Sequence, residues 1–264
     1  MKNINIVFLN NLFMLRNNIF LNCCKLENFI KFDFFKKNKN LVLKFNPLEF
    51  NSKTIFSKTE KFFFDDLKSE YLDVNHSNFL VFSKYSNVCL SYDKPFYDDL
   101  DLENSIFEVT PNVLGREFSK TCSFRLSKYG ESKSGLFEVL SGDGFFILED
   151  NNLNEVVIVK VKSGDMVYIE KRFSFVLINS SKTDNLTVFS LFSKDCRFEK
   201  GVFEKFNGAN LFYTTHGFIR NLNSSHSYNL DNFEGSFLRD FNFNFVDGLY
   251  KESILKPEKF NFLK

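Results

Sequence analysis

Phe137-Glu-Val-Leu-Ser-Gly-Asp-Gly-Phe-Phe-Ile-Leu148 sets two short apolar runs on either side of Ser141-Gly-Asp-Gly144. Gly and Asp tolerate the backbone angles of a tight reversal, so the stretch predicts a β-hairpin. The same alternation of run and turn continues downstream. Val156-Val-Ile-Val-Lys-Val161 leads into Ser163-Gly-Asp165, Met166-Val-Tyr-Ile169, the apolar segment from Phe173 to Asn179, and Leu186-Thr-Val-Phe-Ser-Leu-Phe192. Short β-branched and aromatic runs at this spacing predict an all-β sandwich or barrel. A small barrel leaves a mouth lined by inward side chains, a natural small-ligand site, but a barrel alone names no reaction.

Upstream of this region the pattern weakens. Asn78-Phe-Leu-Val-Phe-Ser83 and Asn87-Val-Cys-Leu-Ser-Tyr92 read as strands, followed by an acidic loop, Asp98-Asp-Leu-Asp-Leu-Glu103, of the kind that is normally solvated. Residues 1–60 are Phe/Asn/Lys-rich without clean periodicity, and are expected to be a low-complexity lead-in, either disordered or a targeting segment. The first 26 residues hold Lys2, Arg16 and Lys25 but no acid before Glu27, which fits a weak organellar transit peptide as well as compositional chance. The expected organisation is this lead-in, a barrel with its N-terminal strands over 61–220, and a C-terminal extension over 221–264. In that extension a short helix is expected up to Lys256, with Pro257 breaking or restarting it.

Composition narrows the function classes. A net charge of +1 over 264 residues provides no field for drawing in nucleic acid, and no run reaches the roughly 18 to 20 apolar residues of a membrane-spanning helix. The five cysteines are odd in number and form no CxxC pair, so reduced thiols in a cytoplasmic setting are expected, with a mitochondrion or other organelle as the alternative. The 38 Phe with no Trp, beside abundant Asn and Lys, are what AT-rich codons produce, and are read as mutational pressure rather than as an aromatic ligand platform.

Four segments occur in a telling order: Gly115-Arg-Glu-Phe-Ser-Lys-Thr121, Phe137-Glu-Val-Leu-Ser-Gly-Asp-Gly144, Ser163-Gly-Asp-Met-Val-Tyr-Ile169 and Ile178-Asn179. In order and approximate spacing they resemble the cupin-type, archaeal-style glucose-6-phosphate isomerases. Asp101-Leu102, Pro111, Asp195 and Gly201 add to the likeness, which covers roughly residues 100–220. The resemblance implies a cupin or jelly-roll core, with a homodimer by analogy with back-to-back cupins. It also implies a divalent metal such as Fe, Mn, Ni or Zn on a His-x-His pair, a Glu and a third His. Such a metal polarises the open-chain sugar while hydrogen moves between C1 and C2.

This chain departs from that pattern at every ligand position. Counted without gaps from Gly115, the His-x-His pair falls on Phe124-Arg125-Leu126, and sliding it back by one gives Ser123 and Arg125. The Glu falls on Gly135, the third His on Phe175, and two later Tyr and His positions fall near Phe192 and Phe198. The three histidines, His76, His216 and His226, all lie outside residues 105–200, so a three-His site cannot be assembled from the barrel. Glu138, Glu149, Glu170 and Cys122 could form a different metal site, but strand carboxylates normally face solvent. The expectation is therefore no catalytic residue, no metal and no cofactor.

The family's phosphate side maps to Lys120, Thr121 and Ser123, which could present a point charge and hydroxyls to a sugar phosphate. Arg116 and Glu117 could equally be a structural pair. The leading expectation is a catalytically degraded relative acting as a binding or scaffold module for a sugar phosphate or a protein partner, with no nucleic-acid or membrane partner. An active isomerase with a rearranged site and a subunit of an organellar assembly stay open.

Overall fold

The computed structural model describes residues 4–6, 41–150, 155–224, 229–233 and 248–263, with backbone alone at 4–6 and 229–233. Most of the predicted lead-in and His226 lie outside the described residues. Two large antiparallel sheets face each other. The first runs in the order Ile4–Ile6, Met166–Ile169, Gly135–Ser141, Leu186–Ser193, Leu102–Val109, Leu80–Ser86, Lys58–Phe63, and only its Ile4–Ile6 edge pairs in parallel. The second runs Glu131–Ser132, Phe124–Lys128, Ser174–Asn179, Asp143–Asp150, Glu155–Lys162, with Asn229–Phe233 added in parallel and Arg197–Lys200 also paired to Phe124–Lys128. From Phe124 to Lys200 the chain passes back and forth between the sheets, the strand path of a jelly roll. The protein is an all-β cupin-type barrel with extensions at both ends.

The Ser141-Gly-Asp-Gly144 segment is not a hairpin. Gly135–Ser141 pairs with Met166–Ile169 and Leu186–Ser193, whereas Asp143–Asp150 pairs with Glu155–Lys162 and Ser174–Asn179, so the chain turns a corner from one sheet to the other. The glycines are needed for this close approach. A Cβ on Gly142, which has φ +86°, would sit 2.5 Å from the Asn185 carbonyl oxygen, and one on Gly144 would overlap the Ile178 carbonyl. The hairpin of this region is instead Asp143–Asp150 with Glu155–Lys162, in register from Asp143↔Lys162 to Asp150↔Glu155.

Both faces of each sheet are covered, which is why Leu186–Ser193 and Ser174–Asn179 are buried at every residue. Inward side chains form one cluster that includes Phe124, Leu126, Phe137, Phe146, Val159, Phe175 and Val188. Outward residues of the first sheet, such as Leu136, Leu140 and Phe189, pack under Leu249, Tyr250, Phe260 and Leu263 of the C-terminal segment. Outward Ile147, Ile158, Val176 and Ile178 of the second sheet are covered by Phe118, Phe203, Ala209 and Leu211.

The tail folds as expected, with an α-helix Gly248–Leu255 and a 3₁₀ helix Pro257–Leu263, docked back on the barrel. Buried Glu138 accepts the Leu249 amide at 2.8 Å, and the Tyr250 hydroxyl accepts the Leu90 amide at 2.8 Å while donating to Asp93 at 2.7 Å. Residues 41–60, assigned from sequence to the lead-in, carry the strands Val42–Phe45, Leu48–Phe50 and Thr54–Ile55 and open Lys58–Phe63. Only Leu41 and Val42 of this stretch are buried, so it lacks the apolar alternation that marks a core-facing strand.

Candidate functional site

The positions that align with metal ligands in the resembled family do converge in space. Phe124 faces Phe175 across the ladder, Leu126 faces Phe198, and Gly135 faces Phe192. Hydrocarbon fills the space they enclose. Phe124 is fully buried, and its ring centroid lies 5.7 Å from Phe107, 5.8 Å from Phe175, 5.6 Å from Phe198 and 6.1 Å from Phe82. Phe192 meets Phe198 at 5.1 Å, and Phe137 meets Phe175 at 5.1 Å, mostly in edge-to-face arrangements that quadrupole attraction favours.

Gly135 gives the most direct test of whether a ligand set would fit. A Cβ there would lie 2.5 Å from the Leu126 Cδ1 and 3.1 Å from the Phe137 ring, so the space for a carboxylate side chain is already occupied by the residue standing where a histidine would be. Rings and a leucine offer no electron pairs to a cation, and the residues present do not fit a divalent metal. Among the described residues no group of three or more His, Cys, Asp or Glu side chains is close enough to hold one.

The strand carboxylates are not solvent-facing as expected. Glu138 and Glu149 are both buried, and each is committed to structure. Glu149 accepts the Asn210 amide at 2.6 Å and its side-chain NH2 at 2.7 Å, and burial pushes its carboxyl up to about 7 despite these bonds. Glu170 pairs with Arg172 at 3.2 Å. Burial raises the Cys122 thiol far above the ordinary range, so it is held as the neutral thiol.

Lys120, Thr121 and Ser123 sit together on the segment that joins the small sheet to Phe124–Lys128, and all three are buried. Lys120 Nζ donates to the Glu70 carbonyl at 2.6 Å and to Glu117, between the rings of Tyr71 and Phe212 at 4.5 Å each. Thr121 Oγ1 accepts the Leu177 amide at 3.1 Å, and Ser123 Oγ accepts the Phe203 amide at 2.8 Å. A phosphate at this point would have to displace each of these bonds. The partner of Glu117 is thus Lys120 rather than Arg116, and Glu117 also takes the Leu72 amide at 3.0 Å. His216 is exposed in a turn beside Thr215.

Sequence reasoning missed a cleft at one end of the ring-filled interior, about 500 Å³ in volume, lined by Lys58, Glu60, Ser69, Glu70, Lys200 and Glu204 among others. Glu60 is the hub: Lys200 lies 2.9 Å from it, Lys58 3.2 Å and Lys84 3.3 Å. Burial works to raise the Glu60 carboxyl, but the Lys200 hydrogen bond and the charges of Lys84 and Lys200 bring it down to about 2. Burial also lowers Lys84 from its ordinary value, against the pull of Glu60. These residues come from three strands, 24 to 140 positions apart, so no local motif marks them.

A family model described as glucose-6-phosphate isomerase matches residues 91–229. No curated protein matches. Among solved structures, vicilin from Corylus avellana (hazelnut) is similar at 17% identity over 48% of this chain and 34% of its own, with a TM-score of 0.36. Procruciferin from Brassica napus is similar at 15% over 46% and 27%, with a TM-score of 0.36. The Bacillus subtilis oxalate decarboxylase, described with Mn(II) centres, is similar at 11% over 46% and 28%, with a TM-score of 0.33. The chain spans about a third or less of the length of these proteins.

Proposed function

Since the chain belongs to the glucose-6-phosphate isomerase family, in its cupin form, we propose that it is a member in which metal chemistry has been lost and the barrel kept as a binding or scaffold module. One observation carries this reading. At Leu126 and Gly135 the space that a His and a Glu would share is closed by the Leu126 side chain, and Phe124, Phe175 and Phe198 pack on one another beside it. An isomerase of this family needs an open, polar interior to hold a sugar chain and a cation. An interior of packed rings excludes both, because admitting them would cost the desolvation of polar groups against hydrocarbon.

The experiment is a coupled assay of the purified protein with fructose 6-phosphate, run with and without added Fe, Mn, Ni or Zn, beside metal analysis of the protein as isolated. Turnover at the uncatalysed rate, with less than stoichiometric metal, is the expected result. Metal-dependent turnover, or a stoichiometric bound transition metal, refutes the proposal.

A further inference from the structure

A hairpin of Leu211–Thr214 and Gly217–Arg220 lies against the outer face of the second sheet, in register from Leu211↔Arg220 to Thr214↔Gly217. Near its tip Thr214 pairs with Glu117, and the Thr215 amide donates to the Arg116 carbonyl at 2.8 Å. Much of its seat is apolar: Tyr213 meets Phe145 at 4.5 Å and Phe118 at 5.0 Å, and Ala209 and Leu211 cover Ile147, Ile158 and Val176. At its base the tie is polar. Asn210 donates its backbone amide and its side-chain NH2, one to each oxygen of Glu149, while its side-chain oxygen accepts the Ser224 hydroxyl.

Glu149 belongs to a buried set of charges that do not balance. Glu70, Glu117, Glu149 and Lys120 are each exposed by 3% or less, three carboxylates beside one ammonium. Lys120 pairs with Glu117 and lies under the Phe212 ring of the hairpin, and Glu70 accepts the Ser123 amide at 2.9 Å. The Lys120 charge favours ionisation of all three carboxyls, whereas Glu70 opposes Glu149 and the exposed Glu204 opposes Glu70. Burial holds the other titratable groups here, the Tyr71 hydroxyl and the Cys122 thiol, neutral. Val156 and Ser174, opposite Glu149 on the flanking strands, carry no charge. One ammonium cannot neutralise three buried carboxylates, so the set is most stable when it retains protons.

We propose that Asn210 and Glu149 form a pH-operated latch: with a proton on Glu149 the hairpin 211–220 stays seated on the second sheet, and loss of that proton releases it toward solvent. Burial sets the direction. An ionised Glu149 gains hydration only when the hairpin lifts, whereas the neutral acid loses little by staying covered. The two Asn210 bonds favour the ionised form but do not offset burial, which leaves the seated carboxyl at about 7. The seated state is therefore favoured fully below about 4.5, and that advantage is lost as pH rises to about 7. The latch lies on the outside of the barrel, so it does not depend on whether the interior has lost its chemistry.

The test is amide hydrogen exchange of the full-length protein across the pH range that spans this titration, with rates corrected for the intrinsic pH dependence of exchange. The amides of 210–214 and 217–220 are expected to exchange as one unit, faster than those of Val188 and Leu191 in the buried strand Leu186–Ser193, which report global unfolding. With Glu149 near 4.5 when open and about 7 when seated, the opening constant of that unit should rise on the order of 50-fold from about pH 5 to about pH 8. Glu149→Gln, which has no proton to lose, should cut the rise to less than about threefold. Glu70→Gln removes the charge that opposes Glu149 and should make the rise level off at lower pH, a displacement that a lost packing contact would not produce. It tests the latch even where Glu149→Gln fails to fold. Hairpin amides that exchange no faster than Val188 at any pH, an opening constant that does not change with pH, a full rise in Glu149→Gln, or an unmoved plateau in Glu70→Gln overturns the proposal.

Discussion

Truncating Phe124 to alanine probes whether the barrel interior is a packed core or a pocket. The ring is fully buried and touches four other rings, on Phe82, Phe107, Phe175 and Phe198, which come from both sheets. Phe→Ala in a core costs about 3 to 5 kcal/mol, rising with the volume that cannot collapse. Collapse is hindered here because the neighbours are themselves stiff rings locked by β-ladders on either side, so the expected loss is in the upper half, about 4 to 5 kcal/mol. For a chain of this length, at about 2 to 4 °C per kcal/mol, that corresponds to roughly 8 to 20 °C in melting temperature. Urea unfolding by circular dichroism, with a calorimetric scan, reads both. A loss below about 1.5 kcal/mol would mean that Phe124 borders open space, and the inference that hydrocarbon closes the interior would fail.

Other residues give equally direct outcomes. Gly144→Ala, whose Cβ would overlap the Ile178 carbonyl, should lower stability by at least about 3 kcal/mol or abolish soluble expression, since a backbone clash cannot be relieved by rotating a side chain. Gly130→Ala, at φ +84° with nothing near its Cβ, should cost only about 1 to 2 kcal/mol, so similar denaturation midpoints for the two variants would contradict the sheet-to-sheet corner. Because the folded Glu149 carboxyl titrates near 7, above its unfolded value, its neutral form is favoured on folding. Its contribution to stability is therefore full below the unfolded value near 4.5 and is lost as pH rises to about 7. Glu149→Gln should shrink the difference between urea midpoints at pH 5 and pH 8, and an unchanged difference would show that other groups govern it. Tyr250→Phe leaves the Leu90 amide without its acceptor and should cost about 1 to 3 kcal/mol, with protection of that amide from hydrogen exchange falling first.

Much of the barrel was legible in the chain itself. Runs such as Val156 to Val161 and Leu186 to Phe192 are too short and too β-branched or aromatic for helices, and the turn residues between them fix strand lengths. Which strands pair was not legible. Ser141-Gly-Asp-Gly144 has hairpin chemistry, yet its glycines serve a corner where two backbones nearly touch, and turn propensity cannot distinguish the two. Burial on both faces also removed the polar alternation that would have told inward residues from outward ones, and Phe, used throughout the chain, carried little information at any one position.

What the sequence determined by itself is that imidazole is missing from residues 105–200, because that depends only on which residues are there. Only the tertiary structure decided what replaced it, since whether Gly135 leaves a hole or is covered by Leu126 depends on packing between strands. The burial of Lys120 against Glu117 and the gathering of Lys58, Lys84 and Lys200 around Glu60 are likewise tertiary facts. Lys120 and Lys58 pair with carboxylates close by in the chain, but Lys84 and Lys200 reach Glu60 only because strands 24 and 140 positions away meet when the sheets close.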